Sequence, residues 1–207
     1  IPNLKIIAKL NKKTLISTGM STMREIEETF NIVKKFGLNV KNLILMHCNS
    51  SYPTSIKDAN LNIIKTLKKK FNVKVGYSDH TQGIVAPIIA VSLGAQFIEK
   101  HFTLNQSLRG PDHFFSLTPK IFKEMVQKIR QTENLLGTSK KQVTINELQN
   151  RKLSRKSIVA KKNIKKGDKF SPKNITTKRP GDGISPILWD KMLGKVSKKN
   201  YKINDKI

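Results

Sequence analysis

The stretch YSDHTQGIVAPIIAVSLGAQFIEKHF, residues 77–102, holds two short runs of β-type residues, and each ends in a polar cluster closed by a histidine, His80 and His101. The segment between them, GIVAPIIAVSLGA, is apolar and of helical length, so the stretch reads as strand, helix, strand. A helix that returns the chain to a second strand running the same way is the parallel βαβ unit.

The same alternation continues on both sides. Four β-like runs recur: TLIST (14–18), NLILMHC (42–48), VKVGYSDH (73–80) and QFIEKHF (96–102). Helical spacing fills the gaps. STMREIEETFNIVKKFG predicts a helix capped by Ser21 and stopped at Gly37, DANLNIIKTLKKKF a second, and TPKIFKEMVQKIRQTENLLG (118–137) a last one ending on Gly137. Every run finishes on residues capable of chemistry: Ser17 and Thr18; His47 and Asn49; Ser78, Asp79 and His80; Glu99, Lys100 and His101. In a (β/α) barrel the active face lies at the C-terminal ends of the strands, which this recurrence fits. Four units make half a barrel, and a complete one takes roughly 250 residues. The opening, IPNLKIIAKLNKK, starts in mid-pattern without an initiator Met, so a preceding segment is expected to supply the other four strands.

Strands alternate faces with period two, so Ser78 shares a side with His80, and Glu99 shares a side with His101. Two histidines at the ends of neighbouring strands, about 4.8 Å apart, can converge on one ion. A single histidine at a strand end is more often an inert, hydrogen-bonded residue; a matched pair points to metal. Mixed imidazole and oxygen ligation suits a divalent ion such as Mn²⁺, with Mg²⁺ or Co²⁺ as alternatives. Glu99 either orients a ligand or pairs with Lys100. His47 and His113 are given no role in metal binding or proton transfer.

Composition bounds the remaining possibilities. The chain has 207 residues, 37% of them hydrophobic, and a formal charge of +26. Only six of its forty basic residues are arginine and they are scattered, a solvated lysine coat rather than a nucleic-acid surface. A basic polyanion-binding, non-catalytic protein is the alternative of another class. Residues 151–207 stand apart, with eighteen Lys and Arg against four Asp, a net +14. No apolar run is long enough to span a bilayer, and no leader pattern opens the chain, so no membrane association is expected. The single cysteine, Cys48, suits a reducing, cytoplasmic setting.

STGMST, LMHCNSSYPT, GYSDHTQGI, IEKHFTLNQSLRGPDH and, far downstream, TTKRPGDGISP follow one another in the order and spacing of the N-acetylneuraminate (sialic acid) synthase family. The likeness covers essentially the whole chain. It implies the C-terminal half of a (β/α)8 TIM barrel over residues 1–137, a polar, extended linker over 138–151, and a small β-rich antifreeze-like (SAF) domain over 152–207. The implied reaction condenses phosphoenolpyruvate with an N-acylmannosamine-type sugar, releasing phosphate and giving a nine-carbon 2-keto acid. Legionaminic or related nonulosonic acid synthases share the motifs, and GPDH favours the sialic or legionaminic type over the pseudaminic type.

The resemblance also implies roles. His80 and His101 would hold the metal, which polarises the sugar aldehyde. Ser17, Ser50, Tyr52 and Ser78 would bind phosphoenolpyruvate, Ser50 standing where some members carry Asn. Asp112 would contact sugar hydroxyls or the attacking water and so count as catalytic and sugar-binding. Arg179, in a tail that family members swap across a homodimer, would reach the partner's sugar N-acyl group. Arg109 replaces a frequent Pro, and PGDG replaces the usual PGNG, bringing Asp182 nearby. Family residues needed for turnover, a glutamate among them, fall in early strands, so residues 1–207 alone are expected to be inactive. A non-catalytic role for the antifreeze-like tail by itself is the remaining possibility.

Overall fold

A computed structural model describes all residues from 1 to 207. They form two compact units, residues 1–137 and 138–207. In the first, helix α1 (Pro2–Leu10) precedes β1 (Thr14–Ser17), α2 (Met23–Lys35), β2 (Leu43–Cys48), α3 (Ile63–Phe71), β3 (Lys74–Asp79), α4 (Val85–Ser92), β4 (Phe97–Lys100) and α5 (Pro119–Leu136). The strands are all parallel and lie in chain order, β1-β2-β3-β4, so every connection is a helical crossover. This is half of a (β/α)8 barrel.

Local chemistry sets the boundaries. Helix α2 is capped by Thr22, one residue beyond the expected Ser21, because only Thr22 completes a reciprocal box with Glu25. The Glu25 carboxylate accepts from the Thr22 backbone N–H at 2.7 Å, and those contacts hold its pKa below the usual carboxylate range. Past the end of α2, Gly37 takes φ +102°, a conformation that suits glycine. Asn72 closes α3 in the left-handed region and turns the chain into β3.

Alternation along the strands separates two faces. Leu43, Leu45, Val75 and Tyr77 are buried against Val33, Ile64 and Leu67 from the helices; truncating one such Leu to Ala costs about 2–5 kcal/mol. The other face is built in layers across the register. Ser17, Met46, Gly76 and Phe97 form one, and Cys48, Ser78 and Glu99 form the next towards the C-terminal ends. Gly76 is required in its layer, since a Cβ there would sit 2.3 Å from Met46 Sδ and 2.8 Å from Phe97 Cβ.

The second unit contains α6 (Ile145–Ser154), β5 (Ser157–Ala160), β6 (Ile175–Lys178) and a short α7 (Trp189–Met192). β5 and β6 pair antiparallel over a core of Ile158, Ile164, Phe170, Ile175 and Met192. The expectation of an extended linker over 138–151 is corrected here: its second half enters α6, nucleated by a second reciprocal cap between Thr144 and Glu147. No helix is long and apolar enough to cross a membrane.

Candidate functional site

The histidines meet at the C-terminal ends of β3 and β4. Their ring centroids lie 5.2 Å apart, edge to face. Tyr52 covers the pair, 4.2 Å from the His80 ring and 5.8 Å from that of His101, and Phe115 packs 5.0 Å from His101 and 6.4 Å from Tyr52. His80 is buried and His101 is half-buried.

Backbone contacts hold the loop after β2 over this point. The Thr54 N–H donates to the His80 carbonyl at 2.8 Å, and the Thr54 hydroxyl donates to the Ser51 carbonyl at 2.8 Å. His80 Nδ1 lies 2.6 Å from the Asn49 carbonyl oxygen. A carbonyl only accepts, so Nδ1 carries the proton and Nε2 keeps its lone pair. That tautomer, fixed by a backbone carbonyl behind the ring, is the one that offers Nε2 to a metal. The donor chemistry therefore fits a divalent ion held by His80 and His101. No group of three or more His, Cys, Asp or Glu side chains is assembled for a metal.

The remaining expected residues are distributed unevenly. Ser78 lies one step below His80 on the same face and donates to Glu99 Oε1 at 2.6 Å. Glu99 thus meets Ser78, not Lys100; neighbours along a strand point to opposite faces, and Lys100 pairs with Asp79 behind the sheet at 2.7 Å. Asp112 stands at the rim, its Oδ2 4.0 Å from His101 Nδ1 and its carbonyl accepting from the Ser116 hydroxyl at 2.6 Å. Ser50 packs over Gly19, where a Cβ would come within 2.3 Å of its Oγ. With Thr18, Cys48 and Asn49 it lines a cleft of about 530 Å³ that runs towards Thr22 at the start of α2. Ser17 is exposed, one layer lower, in register with Met46.

His47 points the other way, stacked 5.7 Å from Tyr77 with Nε2 2.8 Å from the Ala59 carbonyl. Burial pushes its pKa below the ordinary histidine value, partly offset by that carbonyl. His113 Nδ1 is held by the Thr103 hydroxyl at 2.8 Å, in the same loop as exposed Arg109.

Arg179 belongs to the second unit, exposed in the loop that follows β6. The buried Ser157 hydroxyl donates to the Pro180 carbonyl at 2.6 Å and accepts from the Gly183 N–H at 2.8 Å, which clamps both ends of PGDG. Gly181 passes so close to Arg155 that a Cβ would lie 2.5 Å from its side chain. Asp182 pairs with Lys206 at 2.7 Å, and that contact holds its carboxyl below the usual range.

A parallel half-barrel that gathers imidazoles, carboxylates and hydroxyls at its strand ends, followed by a small β unit, places the chain among the (β/α)-barrel proteins with an appended domain. Within that class it belongs to the NeuB family, whose profile matches residues 1–141, and a SAF domain profile matches residues 155–204. The N,N'-diacetyllegionaminic acid synthase of Campylobacter jejuni is 47% identical over 100% of this chain and 62% of its own length. A pseudaminic acid synthase of the same organism is 44% identical over 98% of this chain and 58% of its own. Among solved structures, the N-acetylneuraminic acid synthetase of Leptospira borgpetersenii matches with a TM-score of 0.66 and 37% identity, covering 72% of this chain and 51% of that one. The chain thus spans less than two thirds of the length of these relatives.

Proposed function

We propose that the full-length protein condenses phosphoenolpyruvate with an N-acylmannosamine-type sugar and water, giving a nine-carbon 2-keto sugar acid and inorganic phosphate. The observation that carries this reading is the meeting of His80, His101 and Tyr52 at the strand ends of a NeuB-family barrel half. A legionaminic-type sugar is the second reading, supported by the 47% identity to the Campylobacter jejuni enzyme across the whole chain.

In this reading His80 and His101 would hold a divalent ion, Mn²⁺ in preference to Mg²⁺ or Co²⁺, and the chemistry it would supply is Lewis-acid polarisation of the sugar aldehyde. Ser17, Ser50 and Tyr52 supply hydroxyl donors to the phosphate and carboxylate of phosphoenolpyruvate, and Ser78 joins them by turning its hydroxyl from Glu99. Short donors fixed at strand ends hold an anion in one orientation and so raise its effective concentration beside the aldehyde. Asp112, at the rim near His101, accepts from sugar hydroxyls or from the water that attacks C2, the phosphate-bearing carbon of phosphoenolpyruvate, once C3 has bonded to the aldehyde carbon and before phosphate leaves. Arg179 acts in trans in a domain-swapped homodimer, where its guanidinium donates to the N-acyl oxygen of the sugar in the partner's barrel. The rigid, glycine-dependent loop that presents it supports that role. The reaction needs no membrane or nucleic acid, and a cytoplasmic enzyme suits the reduced Cys48.

The test is phosphate release and keto-acid formation by the full-length protein with phosphoenolpyruvate and a panel of acylated hexosamines. Turnover should vanish after exhaustive chelation and return best with Mn²⁺. Full turnover in the chelated protein rejects the metal, and no condensation with any panel sugar rejects the reaction.

A further inference from the structure

Asp79 and Lys100 make the one ion pair of the molecule whose side chains are both buried, 2.7 Å apart and at most 1% exposed. Burying two charges costs so much desolvation that such a pair adds little or nothing to stability compared with apolar residues of the same size. Its place in the fold suggests another use. Asp79 and Lys100 are register partners across β3 and β4, and each immediately precedes a histidine, His80 and His101. Lys100 Nζ also donates to the carbonyl of Thr81, while Asp79 Oδ1 accepts from the Thr81 N–H at 2.8 Å. The backbone on both sides of His80 is therefore tied to the residue that precedes His101.

We propose that the Asp79–Lys100 pair is a positioning device that sets the separation and orientation of His80 and His101 for a divalent ion. The proposal rests on reading those histidines as metal ligands. Period two puts the pair behind the sheet and the imidazoles in front, so the pair touches neither ion nor substrate. It acts through the backbone, fixing residues 79 and 81 on either side of one ligand and residue 100 beside the other. Residues that orient metal ligands in this way change metal affinity by roughly 10–100-fold when removed.

The test is Mn²⁺ binding to the full-length protein, followed by loss of the free-ion EPR signal, alongside thermal melting. The variant Asp79→Leu/Lys100→Met replaces both charges with apolar side chains of similar size. It should melt no lower than wild type, yet bind Mn²⁺ roughly tenfold or more weakly. A folded double variant with wild-type Mn²⁺ affinity overturns the proposal. Should the double variant be insoluble, the near-isosteric Asp79→Asn serves with the same readout: weaker Mn²⁺ binding supports the proposal, and unchanged binding overturns it. His80→Ala separates the two ideas. Wild-type Mn²⁺ affinity in that variant overturns the metal reading and this proposal with it, whereas unchanged affinity confined to the ion-pair variants overturns the positioning role alone.

Discussion

The rings of His80 and His47 are each held by a backbone carbonyl. For His80 that is the Asn49 carbonyl at 2.6 Å, which leaves Nε2 free to bind. His80→Ala and His101→Ala in the full-length protein should each lower kcat/KM by roughly 10²–10³ with an unchanged circular dichroism spectrum, because the lost contribution is electrostatic stabilisation of the reacting aldehyde. Near-normal rates in both would return them to ordinary strand-end residues. For His47, packed against Tyr77, burial disfavours the charged form. Its folded pKa is thus below the unfolded value of about 6.5. At neutral pH this costs nothing. As the pH falls below about 6.5, the unfolded chain takes up a proton that the native chain resists, so stability declines until the pH reaches the lowered native value. His47→Gln should remove that component, and melting temperatures at pH 7.5 and 5.5 should converge relative to wild type. An identical pH slope in the variant would show that another group governs it.

At the scale of elements, the strands and their crossovers were legible because apolar period and turn residues agreed along the chain, although the α2 cap is Thr22 and not Ser21. Gly37 and Gly137 both fall just past a helix end, and the four runs matched strands to within a residue or two. Helix α6 was not legible through hydrophobic pattern, since its residues are exposed throughout; the signal was the Thr144-to-Glu147 spacing, hidden in a polar stretch. The same period-two rule that brought His80 to His101 also separates Glu99 from Lys100 and brings Asp79 to Lys100, so that pair was readable from register alone. Asn49 was not, because its contribution is a main-chain carbonyl that no side chain announces. Sheet packing offers its own test. Gly76→Ala pushes a Cβ into Met46 and the rigid Phe97 Cβ, and should destabilise by about 1–3 kcal/mol in chemical denaturation. Adding Met46→Ala should recover part of that loss; no recovery would place the strain at Phe97.

For the whole molecule the question is how a residue in the second unit comes to serve a site in the first. The proposed answer is exchange between two copies, with Arg179 of one protomer completing the barrel site of its partner. The second unit, which carries Arg179, has its own core around Ile158, Phe170 and Ile175. Removing it should spare the barrel chemistry: Arg179→Ala in the full-length protein should chiefly raise the KM for the sugar, with a smaller effect on that for phosphoenolpyruvate. His80→Ala instead removes the proposed metal ligand of the barrel and keeps the arginine. In a symmetric exchange, a dimer of one Arg179→Ala chain and one His80→Ala chain contains one site that has lost both groups and one that has an intact barrel facing an intact arginine. Co-expressed chains bearing two affinity tags, purified through both, should therefore have sugar-dependent activity of up to about half that of wild type per dimer, by this count of sites, well above either mutant homodimer at subsaturating sugar. If both tags co-purify and activity stays at the level expected from independent sites within each chain, Arg179 acts in cis or not at all, and the exchange is rejected while the barrel assignments stand.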